Sequence, residues 1–332
     1  MSKLDITVLG AGIYGLWQTL ELARRGHRVR LLEASPEPFA AAASRLAGAM
    51  LAPYCEEEGA EPIIADLGLE AIEIWRKTFP GIVGNGTLVV AAARDRPELV
   101  RFARMTRCHT SLDADAIATL EPDLAGRFAT GLHFETEAHM SPGDAMAFLL
   151  DAARKAGAEI HFGTTSDGTD TTQDRIVDCR GLGARHLLPN LRAVRGERVL
   201  IRSRDVKLSR AVRLLHPRHP LYIVPWRDNE YMVGATVIES EDDSAMTVRS
   251  ALELLGLAYA LHPGFGEAEI LDFSAGLRPA LPDNVPRVIT AADRIHVNGA
   301  YRHGFLLAPV LARIAADLIE HGSRHNEIVI DG

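Results

Sequence analysis

Gly10, Gly12 and Gly15 are spaced G-x-G-x-x-G, and Glu33 follows them at the end of a second apolar run. Residues of these types at this spacing can hold a diphosphate and a ribose. Gly10 permits a tight turn, Gly12 lets a pyrophosphate approach bare backbone, and Gly15 lets a helix pack closely on a strand. The free amides at the helix start would bind the diphosphate, helped by the helix dipole. The Glu33 carboxylate could accept from the ribose hydroxyls of an adenosine. An ordinary strand–turn–helix would leave both the third glycine and Glu33 as coincidences, so a dinucleotide site is expected.

The surrounding pattern supplies the elements such a site needs. Ile6, Val8 and Leu9 make a short buried strand, residues 14–24 read as a helix, and residues 29–32 as a second strand. Residues 34–62 carry no clear strand. Within them SRLAGAM, residues 44–50, has small residues that would let backbone approach a flat ligand; the bland alternative is a loosely packed surface loop. Residues 63–79 are helical by periodicity, with Trp75 in the core. Strands are expected at 87–91 and 131–134, with two short helices at 97–106 and 113–120 between them. Ser141 and Pro142 suit the start of a helix reaching Ala156, and a strand follows at 159–162. Residues 176–179 lead into Gly181 and Gly183 and would close a doubly wound sheet.

From 197 to 235 the period changes to two, which means an antiparallel sheet, with Asp228-Asn229 as a hairpin turn. An amphipathic helix at 247–262, strands at 270–276 and 295–298, and an apolar helix at 305–320 complete the chain. The fold class is therefore α/β: a Rossmann-like nucleotide domain (1–80, 137–196 and 276–332) with an antiparallel-sheet α+β domain (81–136 and 197–275) inserted twice.

Composition narrows the function. The 332 residues are 47% hydrophobic, and the net charge of −8 argues against nucleic acid as a main partner. No apolar stretch reaches the length of a membrane span, and the first strand begins too early to leave room for a signal peptide. Cys55, Cys108 and Cys179 are few, scattered and without metal-ligand spacing, which suggests reduced thiols in the cytoplasm. A second glycine-flanked strand-to-helix turn at 299–306 decides between cofactors. A helix start there could face the pyrimidine edge of a flavin, where negative charge builds on reduction. No catalytic His–Asp pair stands where a nicotinamide dehydrogenase would need one.

GAGIYG with Glu33, SRLAGAM, LYIVPW (221–226), GLRPALPD (276–283) and NGAYRHGFLLAP (298–309) together resemble the D-amino-acid oxidase family of FAD-dependent oxidoreductases, over nearly the whole chain. Within it they look most like the glycine-oxidising branch that serves thiamine biosynthesis. The resemblance implies non-covalent FAD, oxidation of an amine beside a carboxylate, and reoxidation by O2. Glycine would become its imine and then glyoxylate and ammonia, with hydrogen peroxide as the other product. It also assigns FAD contacts to Ile13, Tyr14, Glu33, Ala34, Ser44, Gly48, Ala49 and Met50, beside the motif glycines, and to Ala300, Tyr301, Arg302, His303, Gly304, Phe305 and Leu306. A homo-oligomer is implied by the family alone.

Glycine is a zwitterion, so its carboxylate needs a fixed cation. Arg278, between Gly276 and Pro279, could give a bidentate pair. The Tyr222 hydroxyl could bind the same carboxylate or simply belong to a half-buried strand. Arg302 could bind substrate or lock its loop. His139 reads as structural, and Trp226, His216 and His219 could line a lid or cap a strand end. No side chain is an evident acid or base. The competing activities are oxidation of sarcosine or D-amino acids, electron transfer to a quinone, and non-catalytic flavin binding. The sequence departs from the family pattern at Ala300, His303 and Val237, and the last, which could reshape the pocket, bears on the choice between glycine, sarcosine and small D-amino acids. The polar segment 164–173 stands where relatives have a longer hairpin.

Overall fold

The computed structural model describes residues 3–166, 174–218, 220–291 and 294–332. His219 and most of the 164–173 segment (167–173) lie outside the described residues.

Two large sheets organise the chain. The first has seven strands, and Asp5–Leu9 sits inside it. It pairs in parallel with Arg28–Glu33 on one side and with Arg175–Asp178 on the other. Glu159–Phe162 extends the sheet beyond Arg28–Glu33, and Ile295–Asn298 extends it beyond Arg175–Asp178. Arg287–Thr290 and then Val329–Asp331 finish that edge. Strands buried on both faces must be apolar throughout, and Ile6, Val8 and Leu9 are at most 1% exposed.

Helices Ile13–Arg24, Pro62–Thr78 and Gly304–His321 pack together around Trp75, whose Nε1 donates to the Phe305 carbonyl at 2.7 Å. Trp17 meets the Trp75 ring edge-on at 4.9 Å. The helix Pro142–Lys155 is capped by Ser141, as its sequence requires.

The second sheet has eight strands, six of them between Thr87 and Gly234 flanking a long pair, Arg192–Arg202 and Glu269–Ala280, at and next to its edge. Two expectations need correction. The strand expected at 270–276 runs on to Ala280, so Arg278 is a strand residue facing Val194 rather than part of a following turn. Residues 34–62 are not devoid of strand: Met50–Leu51 pairs with Ala138–His139. Two residues are too few for a period-two signal to register. The Asp228-Asn229 hairpin is present, and both residues have positive φ, 61° and 58°.

Candidate active site

One cavity of about 890 Å³ runs between the two sheets. At one end lies the glycine turn. Gly10 has φ +91°, and a Cβ on Gly15 would overlap the Gly10 carbonyl oxygen. Gly15 is thus required by the helix–strand contact and does not itself line the cavity, whereas Gly10, Gly12, Ile13 and Tyr14 do. The Glu33 carboxylate also reaches the cavity. It accepts from the Ala11 amide at 2.7 Å and the Ser35 amide at 2.9 Å, which fixes it at the turn. Ser44 Oγ accepts from the Ile13 amide at 3.1 Å. Ala34, Ser44, Gly48, Ala49 and Met50 line the next stretch, so SRLAGAM forms cavity wall rather than outer surface.

The far end is built from the loop that follows Ile295–Asn298. Asn298 Oδ1 accepts from the Gly299 amide at 2.8 Å, and the Tyr301 amide donates to the Pro279 carbonyl at 2.8 Å. This bond ties the loop to the strand that carries Arg278. The helix Gly304–His321 then begins with no side-chain cap, leaving its first amides for another acceptor. Ala300, Tyr301, Arg302, His303, Gly304, Phe305 and Leu306 all line the cavity. His303 is buried, and burial pushes its imidazole down to about 4, so it is neutral near pH 7.

Between these ends stands a charge cluster whose key member the sequence reading missed. Glu56 pairs with Arg302 at 2.6 Å and accepts from the Tyr222 hydroxyl. Burial alone would raise the Glu56 carboxyl, but Arg302 and Arg213 hold it below its usual range. The same ion pair lifts the Arg302 guanidinium above its usual value against the effect of burial.

The loop carrying Glu56 is pinned from two sides. Glu137 accepts from the Tyr54 and Cys55 amides at 3.0 and 2.7 Å. Arg213 donates to the Cys55 carbonyl at 2.6 Å while sandwiched between Phe102 and Tyr222. No motif marks Glu56: it stands in an acidic run, Glu56 to Glu58, and such runs are usually solvated.

Arg278 differs from Arg302. It donates to the Thr236 carbonyl at 3.1 and 3.2 Å and to the Arg195 carbonyl at 3.4 Å, and no carboxylate among the described residues pairs with it. Burial and then the nearby Arg302 lower it to about 10, so it stays charged near neutrality. Its guanidinium lies over Gly196, where a Cβ would overlap it. His139 is buried and bridges to Val83 through both backbone groups, away from the cavity lining.

A glycine turn at the carboxyl ends of parallel strands, with a second uncapped helix start on the same cavity, defines a dinucleotide-binding protein of the flavin type. The family model described as DAO, FAD dependent oxidoreductase, matches residues 5–318, and the chain belongs to that family. It is 51% identical to the Rhizobium etli protein named as thiamine biosynthesis oxidoreductase ThiO, over 93% of this chain and 94% of that one. It is 28% identical to a glycine oxidase of Geobacillus kaustophilus, over 96% and 93% of the two chains. The crystal structure of glycine oxidase from that organism superposes with a TM-score of 0.81 at 24% identity, covering 98% of this chain and 96% of that one.

The cofactor is FAD, and the residues present fit it. Two helix starts lie at opposite ends of the cavity, the first with its Ile13 amide held by Ser44 and the second with no side-chain cap, and small residues line the wall between them. The enzyme is an FAD-dependent amine oxidoreductase. Among the described residues no helix is long and apolar enough to cross a membrane.

Proposed function

We propose that this protein oxidises glycine to its imine, which yields glyoxylate and ammonia or feeds thiazole assembly in thiamine biosynthesis. FAD, held by the glycine turn, residues 44–50 and the 300–306 loop, would supply the two-electron oxidation, with O2 as the final acceptor.

The carrying observation is the charge balance of the cluster. Arg278 and Arg302 both line the cavity, and Arg302 is paired with Glu56, whereas no carboxylate among the described residues pairs with Arg278. The positive charge of Arg278 is therefore the one in this cluster without a carboxylate partner. A monocarboxylate completes the site, and a planar guanidinium receives it bidentately. Tyr222 is within the same cluster and can turn its hydroxyl from Glu56 to the bound carboxylate. Arg302 holds Glu56 and its own loop. No acid or base is assigned: positioning of the α-carbon and the electrostatics of the site carry the reaction.

The contacts proposed for FAD follow the cavity: Glu33 and Ala34 toward the ribose, Gly10, Gly12, Ile13, Tyr14 and Ser44 toward the diphosphate, and Gly48–Met50 with 300–306 toward the ring. Gly15 supports the turn from behind. The two-part division is also proposed, with 1–80, 137–196 and 276–332 holding FAD and 81–136 and 197–275 facing the substrate. The two separate sheets support it, although the long strand pair spans its boundaries at 196 and 276. A cytoplasmic location accords with three free cysteines. A homo-oligomer accords with Ile270, Leu271 and Phe273, exposed on an edge strand.

Anaerobic glycine should bleach the flavin absorption of the purified enzyme, and glycolate should compete. In Arg278→Ala, loss of a charge-assisted pair worth roughly 2–3 kcal/mol should raise the glycine KM by about 30- to 150-fold. Competition by methylamine but not by glycolate would overturn the cation assignment.

A further inference from the structure

Glycine carries two charges, and Arg278 answers only one of them. The ammonium group needs an acceptor on the same cavity. Of the other carboxylates that line it, Glu33 is held at the glycine turn, Glu197 is sealed against Arg195, and Asp243 lies on an exposed loop. Glu56 alone stands in the cluster with Tyr222 and Arg302, and its side chain is 14% exposed. Glu137, which pins the same loop, is fully buried. A carboxylate has about four acceptor positions. Among the described residues Glu56 fills two of them: Oε1 accepts from the Tyr222 hydroxyl and Oε2 from Arg302 at 2.6 Å. Acceptor capacity therefore remains on a charged group that lines the cavity.

Arg278 and Glu56 sense each other without touching. Burial and Arg302 lower the Arg278 guanidinium, while Tyr301 and Glu56 oppose them. Yet Arg278 spends its hydrogen bonds on the Thr236 and Arg195 carbonyls, not on Glu56. Opposite charges thus stand apart on one cavity. In glycine the nitrogen and the carboxyl carbon are about 2.5 Å apart, so one small zwitterion can meet both. Tyr222 links the two sites. It has a single O–H, which donates to Glu56. When that hydroxyl turns to the substrate carboxylate, Oε1 of Glu56 loses its donor, and a carboxylate out of bulk water is costly to leave short of one. The substrate N–H replaces it. Arg302 and Arg213 keep Glu56 ionised against the effect of burial, so it works by accepting hydrogen bonds and not by removing a proton.

We infer that Glu56 is the amine-binding residue of the site, accepting from the substrate nitrogen while Arg278 holds the carboxylate. Both ends of the amino acid are then fixed, and the α-carbon between them has one position. The assignment also sets specificity. A 2-hydroxy acid brings the same carboxylate but only one neutral donor, whereas an ammonium group brings charged N–H donors, whose bonds to a carboxylate are roughly twice as strong. Glu56 therefore separates amino acids from hydroxy acids of the same size. The inference rests on the reading of Arg278 as the carboxylate site.

Glycine and glycolate separate the two claims. Glu56→Gln keeps the shape and an acceptor for Tyr222 but removes the charge. Peroxide assays of the holoenzyme should show the glycine KM raised by about tenfold or more, the loss expected for a hydrogen bond to a charged group. The Ki of glycolate should stay the same or fall, because a negative charge near Arg278 has gone. A parallel loss of both ligands would make Glu56 a brace for its loop only, and an unchanged glycine KM would remove it from the site; either result overturns the inference. Arg278→Ala should instead weaken both ligands together, and failure of glycolate to bind the wild-type enzyme would overturn the Arg278 reading. Should Glu56→Gln not retain FAD, the wild-type holoenzyme decides. Reduced anaerobically with dithionite it cannot turn glycine over, and calorimetry should give glycine a Kd about tenfold or more below that of glycolate. Equal affinities would overturn the amine site.

Discussion

Arg278 keeps its place because of what is missing beneath it. Gly196 supplies bare backbone under the guanidinium, and a methyl group there would push into it. Gly196→Ala should therefore raise the glycine KM at least tenfold while the protein still purifies with bound flavin, read as the ratio of visible to ultraviolet absorption. Unchanged KM would show that Arg278 can shift without loss. Glu137 makes a second residue-scale case. It is fully buried, and burial raises its carboxyl to about 8, although the Tyr54 and Cys55 amides pull the other way. A raised folded-state pKa favours the neutral form. The stability this gives is complete below about pH 4.5 and is lost as pH rises through about 8. Replacing Glu137 by Gln, which stays neutral, should raise the Tm relative to wild type at pH 9 and leave little or no gain at pH 5. A constant difference at both values would refute the burial argument.

Each element has its local reason. The helix Val248–Leu261 is capped by Thr247, whose Oγ1 accepts from the Ser250 amide at 3.2 Å, and it packs Leu254, Ala258 and Leu261 on the eight-stranded sheet. Removing the hydroxyl in Thr247→Ala should cost about 1 kcal/mol. Thermal unfolding should report it as a lower Tm, with kcat and KM for glycine unchanged because the helix lies outside the cavity lining. The loop carrying Glu56 is the opposite kind of element. It has little regular structure and takes its position from Glu137 and Arg213, which come from distant parts of the chain.

At the scale of the whole molecule, both ends of the polypeptide meet one cavity. The first helix and the last are joined by Arg25, which donates to Asp317 at 2.6 Å and Glu320 at 2.7 Å, and by His27 with Glu320 at 3.0 Å. FAD contacts at both helix starts would add to this clamp. A ligand that binds only the folded state at one hundred times its Kd adds about 2.7 kcal/mol. Protein stripped of FAD should melt several degrees lower, and added FAD should restore the Tm in a concentration-dependent way. Restoration by adenosine diphosphate alone would mean that the 300–306 end contributes little to binding.

The sequence by itself determined the parts of the site that are made of backbone and local spacing. Glycine at 10, 12 and 15, an acidic end to the second strand and the glycine-flanked turn at 299–304 are contiguous signals, because a turn or a helix start is specified by its own few residues. The change from buried parallel strands to period-two strands marked two sheets for the same reason. Tertiary structure alone decided how charge is distributed. Glu56 meets Tyr222 and Arg302 across long stretches of chain, and Gly196 lies under Arg278 through strand register. Such contacts depend on which strands become neighbours, and pairing across a sheet leaves no periodic trace in either partner. A guanidinium with a carboxylate and one without look alike as letters; only the fold pairs Arg302 with Glu56 and leaves Arg278 on backbone carbonyls.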